Sequence, residues 1–309
     1  MVSMSLALSK YLTARATLYQ QIRTFFAERQ VVEVDTPLLA DAPVTDPFLE
    51  ALTVKHQGKT QYLQTSPEYA MKQLLAAGSG DIYQLCKAFR AEEAGRLHRT
   101  EFTMLEWYRV GFDEHDLMAE VDALLQCTLS CQPATKHTYQ SLFDTYLGIN
   151  PHAVSEEALL AMVHQQLDLT ADNLNRDDYL MLLFSHCIEP HLGHEQPVFV
   201  YDYPASQAAL AQCKQADGQQ VAARFEVFVN GVELANGYHE LTDAAEQKRR
   251  FEKDLIMRER LGLPAVPIDY HLVQALEKGL PACAGVALGV DRLLMLHCDK
   301  YQLPSWINT

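Results

Sequence analysis

The sequence predicts an α+β fold in which an antiparallel sheet is flanked by helices. Strand-like runs come in neighbouring pairs joined by short polar turns, as in "ALTVKHQGKTQYLQTS" and "RFEVFVNGVELANG". Helical patterns fall between groups of strands rather than after each strand, which argues against a βαβ winding. The composition is that of a globular chain: 309 residues, 48% hydrophobic and 21% charged. It has no low-complexity run and no long block of like charge. With no internal repeat and no linker, residues 1–309 are expected to form a single domain.

The elements follow in order. Residues 9–29 carry Leu12, Ala16, Tyr19, Ile22 and Phe26 at helical spacing behind a candidate N-cap, Ser9. "VVEVDTPLLA" is a short β-branched strand ended by Pro37. The hairpin after it turns near Gly58. "PEYAMKQLLAAG" opens a helix with Pro67 at its first position and closes it at Gly78. "DIYQLCKAFR" and "EFTMLEWYRVGF" are two strands joined by a polar loop. Residues 113 to about 189 read as a mostly helical block covering one side of the sheet. Strands resume with "PVFVYDYP" and "ARFEVFVNGVELANGYHE". A helix follows over "LTDAAEQKRRFEKDLIMRERLG", capped by Thr242. "ACAGVALGV" is a small-residue strand, and "DRLLMLHC" begins the last helix.

Charge and cysteine usage narrow the function classes. The chain has 40 acidic and 25 basic residues, a formal net charge of −15. Nonspecific nucleic-acid binding depends on basic patches that release counterions, so it is not expected here. No run of about 20 apolar residues is present to span a bilayer. The N-terminus lacks the basic-then-apolar pattern of a leader, and a cytoplasmic protein is expected. Seven cysteines without a CxxC fit a reducing compartment. Cys127 and Cys131, four apart, read as one buried helix face. His186, Cys187, His191 and His194 cluster in sequence, but a zinc site needs four ligands at suitable spacing, and they read as structural.

Three stretches could carry chemistry. In "RFEVFVNGVELANG", Asn230-Gly231 is a two-residue turn that sets Phe228 opposite Glu233. Glu226 shares a face with Phe228, so Glu226 and Glu233 are diagonal neighbours about 7–8 Å apart. Such a pair suits Mg²⁺, which uses one or two carboxylates plus substrate phosphates; two solvated glutamates would show the same spacing. Glu240 adds a third acid nearby in sequence.

In "FTMLEWYRV", alternation puts Phe102, Met104, Glu106 and Tyr108 on one face. Glu106 among apolar neighbours needs a partner. Arg90, at the end of the preceding strand, could pair with it, or could hold a carboxylate or phosphate with its planar fork. In "GVALGVDRLLML", Gly289 turns a small-residue strand into a helix with Arg292 in its first turn, an arrangement suited to an anion.

These segments resemble class II aminoacyl-tRNA synthetases, and within them the lysyl branch. "FFAERQVVEVDTPLLA" is similar to that class's first motif, "FRAEEAGRLHRTEFTMLEWY" to the second and "GVALGVDRLLML" to the third. "RFEVFVNGVELANGYHEL" resembles the lysine and metal segment of lysyl-tRNA synthetases. The resemblance runs from about Ser9 to Cys298. It departs from the lysyl enzymes in lacking their N-terminal anticodon-reading domain before Ser9, in Ser66 where they have alanine, and in Ala287 where they have glycine. Both substitutions look like the stand-alone paralogues that join (R)-β-lysine to elongation factor P. Arg99 stands where the family usually has asparagine.

The resemblance implies a homodimeric, cytoplasmic ligase using ATP and Mg²⁺, with (R)-β-lysine as substrate, elongation factor P as acceptor, and no membrane or tRNA partner. It implies catalytic roles for Arg90 and Arg292. ATP would be held by Arg90, Glu92, Arg99, Phe102, Glu233, Leu234, Gly289 and Arg292, and the metal by Glu226 and Glu233. Ser66, Glu68, Tyr108, Asn236 and Glu240 would hold the amino acid. A truncated lysyl-tRNA synthetase and an inactive amino-acid-binding paralogue are the alternatives. Against the latter, Arg90, Arg292, Glu226 and Glu233 are all present.

Overall fold

The computed structural model describes residues 2–91, 99–167 and 174–298. The chain divides into two compact units, residues 1–111 with 241–309, and residues 112–240.

The first unit opens with α1, Val2–Glu28, which begins before the Ser9 cap that the sequence offers. Its buried stripe is Tyr11, Leu18, Ile22, Phe25 and Phe26, whereas Leu12 is 54% exposed and Ala16 is exposed too. The expected first strand is split into β1 (Val32–Glu33) and β2 (Leu39–Ala40). Pro37 lies in the gap, and proline cannot donate to a ladder. β3 (Thr53–His56) and β4 (Lys59–Leu63) form the expected hairpin. Gln57 and Gly58 take φ of 48° and 77° at its turn, the doubly positive geometry of a tight hairpin. β2 adds to β4 in a three-stranded sheet.

α2 covers Glu68–Ala76, with Pro67 one place before it. β5 (Ile82–Phe89) and β6 (Glu101–Val110) pair antiparallel from Ile82↔Tyr108 to Phe89↔Glu101. β6 is buried on both faces, as its apolar pattern requires. One face meets α1, where the Phe26 ring lies 5.3 Å from Trp107 and Arg15 donates to Thr103 Oγ1 at 3.0 Å. The other face carries Phe102, Met104, Glu106 and Tyr108.

The second unit begins with α3, Glu114–Leu129, closed at its start by an Asp113–Asp116 capping box. Cys127 is exposed, and Cys131 lies beyond the helix end, so the two do not make the buried face that their spacing offers. A short strand, β7 (Thr135–Thr138), interrupts the expected helical block. α4 (Tyr139–Leu147), α5 (Glu156–Leu167) and α6 (Arg176–Leu183) follow. Then come β8 (Val198–Pro204), β9 (Cys213–Ala216), β10 (Gln219–Val229) and β11 (Val232–His239). Within this unit the strand order is β11-β10-β8-β7, with β9 on β10. Tyr139, Phe143, Leu180, Leu183 and Phe184 of the helical block pack with Tyr203 and Phe228 of the strands.

The histidine-rich segment seats the β10–β11 hairpin. Asn230 N–H donates to Gly193 O at 2.8 Å, and Gly231 N–H to Leu192 O at 2.7 Å. Gly193 has φ +76°, and a Cβ there would stand 2.4 Å from Phe228 O. Only glycine allows that approach.

The chain then returns to the first unit. α7 (Ala244–Arg260) is capped by Asp243, whose carboxylate accepts from the N–H groups of Ala245 and Glu246; the cap is therefore not Thr242. α8 (Tyr270–Gly279) was not foreseen, although Leu272, Val273 and Leu276 give it a buried face. β12 (Cys283–Gly289) pairs antiparallel with β6, setting Gly285 opposite Tyr108, Ala287 opposite Glu106 and Gly289 opposite Met104. α9 (Val290–His297) follows directly.

The architecture is α+β, but its pairing is mixed rather than purely antiparallel: β1/β5 and β7/β8 run parallel. Strands of two and four residues are too short to announce themselves by alternation. Among the described residues no helix is long and apolar enough to cross a membrane.

Candidate active site

On the first unit, Arg90 follows the last residue of β5, and its backbone N–H donates to Thr100 O at 3.0 Å. Its guanidinium carbon stands 5.1 Å from the centre of the Phe102 ring. A cation and a flat apolar ring are thus presented side by side. Arg99 is half-buried at the entrance to β6, and Glu92 lies outside the described residues.

Gly289 ends β12, and the Arg292 stem packs within 3.6 Å of the place a Gly289 side chain would take. Thr103 N–H donates to Asp291 Oδ2 at 2.7 Å. β12 ends opposite Met104, so at Thr103 a carboxylate from the first turn of α9 replaces a strand carbonyl. That bond ties the turn bearing Arg292 to the strand bearing Phe102.

Four residues along the same face lies Glu106, 2% exposed. Its Oε2 accepts from Ser66 Oγ at 2.6 Å and its Oε1 from the Tyr108 hydroxyl at 2.7 Å. These hydroxyls take the place of the Arg90 ion pair that the sequence left open. Ser66 Oγ in turn accepts from Glu68 N–H at 3.1 Å. Glu68 is bonded by Lys72 Nζ at 2.6 Å. Burial and then the Glu68 charge raise the Glu106 pKa to about 7; the bonds from Ser66 and Tyr108 and the Lys72 charge only partly offset them. The small residues Gly285 and Ala287 lie across from Tyr108 and Glu106 on the neighbouring strand.

On the second unit, β10 and β11 pair as the Asn230-Gly231 turn dictates, with Val229 opposite Val232 and Phe228 opposite Glu233. The register then slips: Val227 faces Ala235 and Glu226 faces Asn236, so Leu234 is the extra residue of a bulge. The slip keeps Glu226 and Glu233 on one face and turns Asn236 onto it as well, where strict alternation would have sent Asn236 away. Glu226 accepts from the Tyr203 hydroxyl at 2.7 Å and from Arg224. Among the described residues no three His, Cys, Asp or Glu groups are gathered to hold a metal by themselves. Asn236 Oδ1 is buried without a hydrogen-bond partner. Two carboxylates and an amide oxygen on one face are hard donors, and they fit Mg²⁺ completed by phosphates.

Glu240 is 1% exposed. Its carbonyl accepts from Gln212 Nε2 at 2.8 Å. The adjacent His239 places Nδ1 3.3 Å from Glu114, which also receives Lys214. Burial alone would raise the Glu114 pKa, but the bonds from His239 and Lys214 outweigh it and hold it at about 2.

A family model described as tRNA synthetases class II (D, K and N) matches residues 2–305. The chain belongs to the class II tRNA synthetase family. Among its curated relatives is an elongation factor P–(R)-β-lysine ligase of Vibrio cholerae serotype O1, 54% identical over 302 residues, 94% of this chain and 93% of the relative. The Edwardsiella ictaluri protein of the same name is 54% identical over 305 residues, 96% of this chain and 93% of the relative. That of Pseudoalteromonas translucida is 51% identical over 304 residues, 96% and 94% of the two chains.

Two groups at the site, Lys72 and Asp291, were not among the residues expected from the sequence. Lys72 had a signal, a basic residue one turn after Glu68. Asp291 stood beside Arg292 but gave no sign of reaching back to β6.

Proposed function

We infer that this chain is an ATP-dependent, AMP-forming ligase that activates (R)-β-lysine and transfers it to a lysine side chain of elongation factor P. The observation that carries this reading is the identity of 54% along nearly the whole length of relatives that bear that name. The family match crosses both compact units, which supports one catalytic domain over residues 1–309. A cytoplasmic homodimer is part of this reading, because "FFAERQVVEVDTPLLA" resembles the class's dimer-interface motif.

In the first step a carboxylate oxygen of β-lysine attacks the α-phosphorus of ATP, and pyrophosphate leaves. That carboxylate is ionised at neutral pH, so no general base is needed, and alignment with charge neutralisation supplies the catalysis. Arg90 bridges the α-phosphate and the substrate carboxylate while adenine stacks on Phe102. Glu92, Arg99, Leu234 and Gly289 line the nucleotide, and Arg292 grips its terminal phosphates. Glu226 and Glu233 hold Mg²⁺, which when bound neutralises phosphate charge.

Glu240 and Tyr108 take one amino group of the substrate, Glu68 and Ser66 the other, and Asn236 its carboxylate. Glu106 joins this set, because it organises both hydroxyls. Where the lysyl enzymes have glycine, Ala287 adds a methyl that trims the floor of the site, and Ser66 offers a hydroxyl, so an amino group on the β-carbon is favoured. In the second step the acceptor lysine amine attacks the acyl carbon, AMP leaves, and the amine loses its proton to solvent or base.

Incubation with ATP, (R)-β-lysine and either elongation factor P or total tRNA, followed by intact mass measurement, tests the assignment. A β-lysyl mass increase on the protein acceptor alone is expected. Charging of tRNA in its place would assign the chain to the synthetases proper.

A further inference from the structure

Lys72 is 1% exposed and is among the largest fully buried side chains of the described residues. Its neighbours on the inner face of α2 are Met71 and Leu75, so an apolar residue would suit the position. A buried ammonium carries a large desolvation penalty and is kept only with a close partner. That partner is Glu68, 2.6 Å away. From Glu68 the links run on through its N–H to Ser66 Oγ, and from Ser66 to Glu106. Lys72 thus offers Glu68 the same functional group that a lysine-like substrate brings.

We propose that Lys72 is a positioning and specificity residue whose ammonium neutralises Glu68, so that this end of the amino-acid site accepts one substrate ammonium rather than two. With Lys72 present, Glu68 and Glu106 leave at most one uncompensated negative charge. One amino group of a diamino acid is bound there, and the other must be met elsewhere. Without Lys72 the two acids face each other directly, and the site loses both its shape and its charge count. The inference rests on the assignment of Ser66 and Glu68 to an amino group of the substrate.

The groups facing Glu106 are few. Ser66, Glu68 and Lys72 come from α2 and the turn before it, Gln84 and Cys86 from β5, Tyr108 from β6 and Ala287 from β12. Cys86, pushed up to about 12 by burial and then by Glu106, stays a neutral thiol. The Tyr108 hydroxyl donates a hydrogen bond to Glu106. Lys72 is therefore the one cation acting on this acid among the groups named.

Lys72→Met and Lys72→Arg, assayed by pyrophosphate exchange between pH 5.5 and 9, test the proposal. For Lys72→Met the KM for (R)-β-lysine is expected to rise tenfold or more, with the KM for ATP within twofold. The acid limb of kcat/KM should move to higher pH, because Glu106 then faces Glu68 without the opposing field. Lys72→Arg should recover most of the KM and return the limb towards wild type. If Lys72→Met does not fold, the Glu68→Gln/Lys72→Met pair removes the orphaned acid; its KM for β-lysine should stay high while the acid limb falls below that of wild type.

A variant with both KM values and the pH profile of wild type would show Lys72 to be filler and overturn the proposal. So would Lys72→Arg behaving no better than Lys72→Met. The Glu106 proton can also be followed in the ligand-free protein through the pH dependence of thermal unfolding. Failure of the β-lysine reading would appear instead as wild-type exchange with a different amino acid, on which the same variants are compared.

Discussion

Glu106 and Glu114 are buried to the same degree, at 2% and 3% exposure, yet their acidities are driven apart. Glu106, in the first unit, is met by two hydroxyls and by the charge of Glu68, and it sits at about 7. Glu114, in the second unit, is met by Lys214 and His239, and it sits at about 2. Burial pushes both upward; the sign of the neighbouring charge decides the outcome. The teaching is functional. An acid that holds the fold together has a fixed cation beside it, as Glu114 has Lys214. An acid supplied with donors but facing another acid is poised for a cation that arrives with a ligand.

The largest expected effect is on the structural acid. Glu114→Ala removes the charged bonds from Lys214 and His239 and leaves Lys214 to Asp202 alone, and should lower unfolding stability at pH 7 by about 3–4 kcal/mol in urea titration. Glu106→Gln keeps the shape but removes the charge and puts an NH2 donor in place of one of the two oxygens that accept from Ser66 and Tyr108. It should lower kcat/KM for (R)-β-lysine by about a hundredfold, close to 3 kcal/mol for a lost charged bond, while the protein stays folded. If the two effects exchanged places, the contrast between the acids would be wrong.

The pH dependence of the ligand-free protein sharpens the comparison. A raised folded-state value means that Glu106 contributes stability below its ordinary range near 4.5, and that this is lost as pH climbs through about 7. A depressed value means that the Glu114 contribution is present above about 4.5 and lost as pH falls towards 2. Glu106→Gln should flatten the neutral part of the stability profile, gaining about 1–3 kcal/mol on wild type at pH 8. Glu114→Gln should flatten the acid part. A smaller effect checks the helix start in the first unit: Asp243→Ala should lower the melting temperature, and Thr242→Ala should lower it much less.

How much of this was legible depended on whether a signal was local. The Asn230-Gly231 turn fixes its own register, so Val229, Phe228 and Glu233 fall where the turn alone puts them. The alternation of β6 likewise places Phe102, Met104, Glu106 and Tyr108 on one face. The Leu234 bulge was not readable, because an extra residue in a strand leaves the composition pattern intact, and it decides which way Asn236 points. β7 and β9, of four residues each, carry too few positions for a period. The buried Lys72 looks in sequence like an ordinary i,i+4 surface pair with Glu68; only packing shows that it lies inside. Thr242 and Asp243 are both good caps, and the choice between them rests on backbone geometry one residue wide.

Pyrophosphate exchange with (R)-β-lysine, set beside α-lysine and no amino acid, tests the central claim most directly. Exchange that depends on the amino acid, is stronger with (R)-β-lysine than with α-lysine, and collapses in Glu106→Gln is the predicted result. Exchange equal for the two lysines, or untouched by Glu106→Gln, would contradict a diamino-acid site built around that buried, cation-seeking carboxylate.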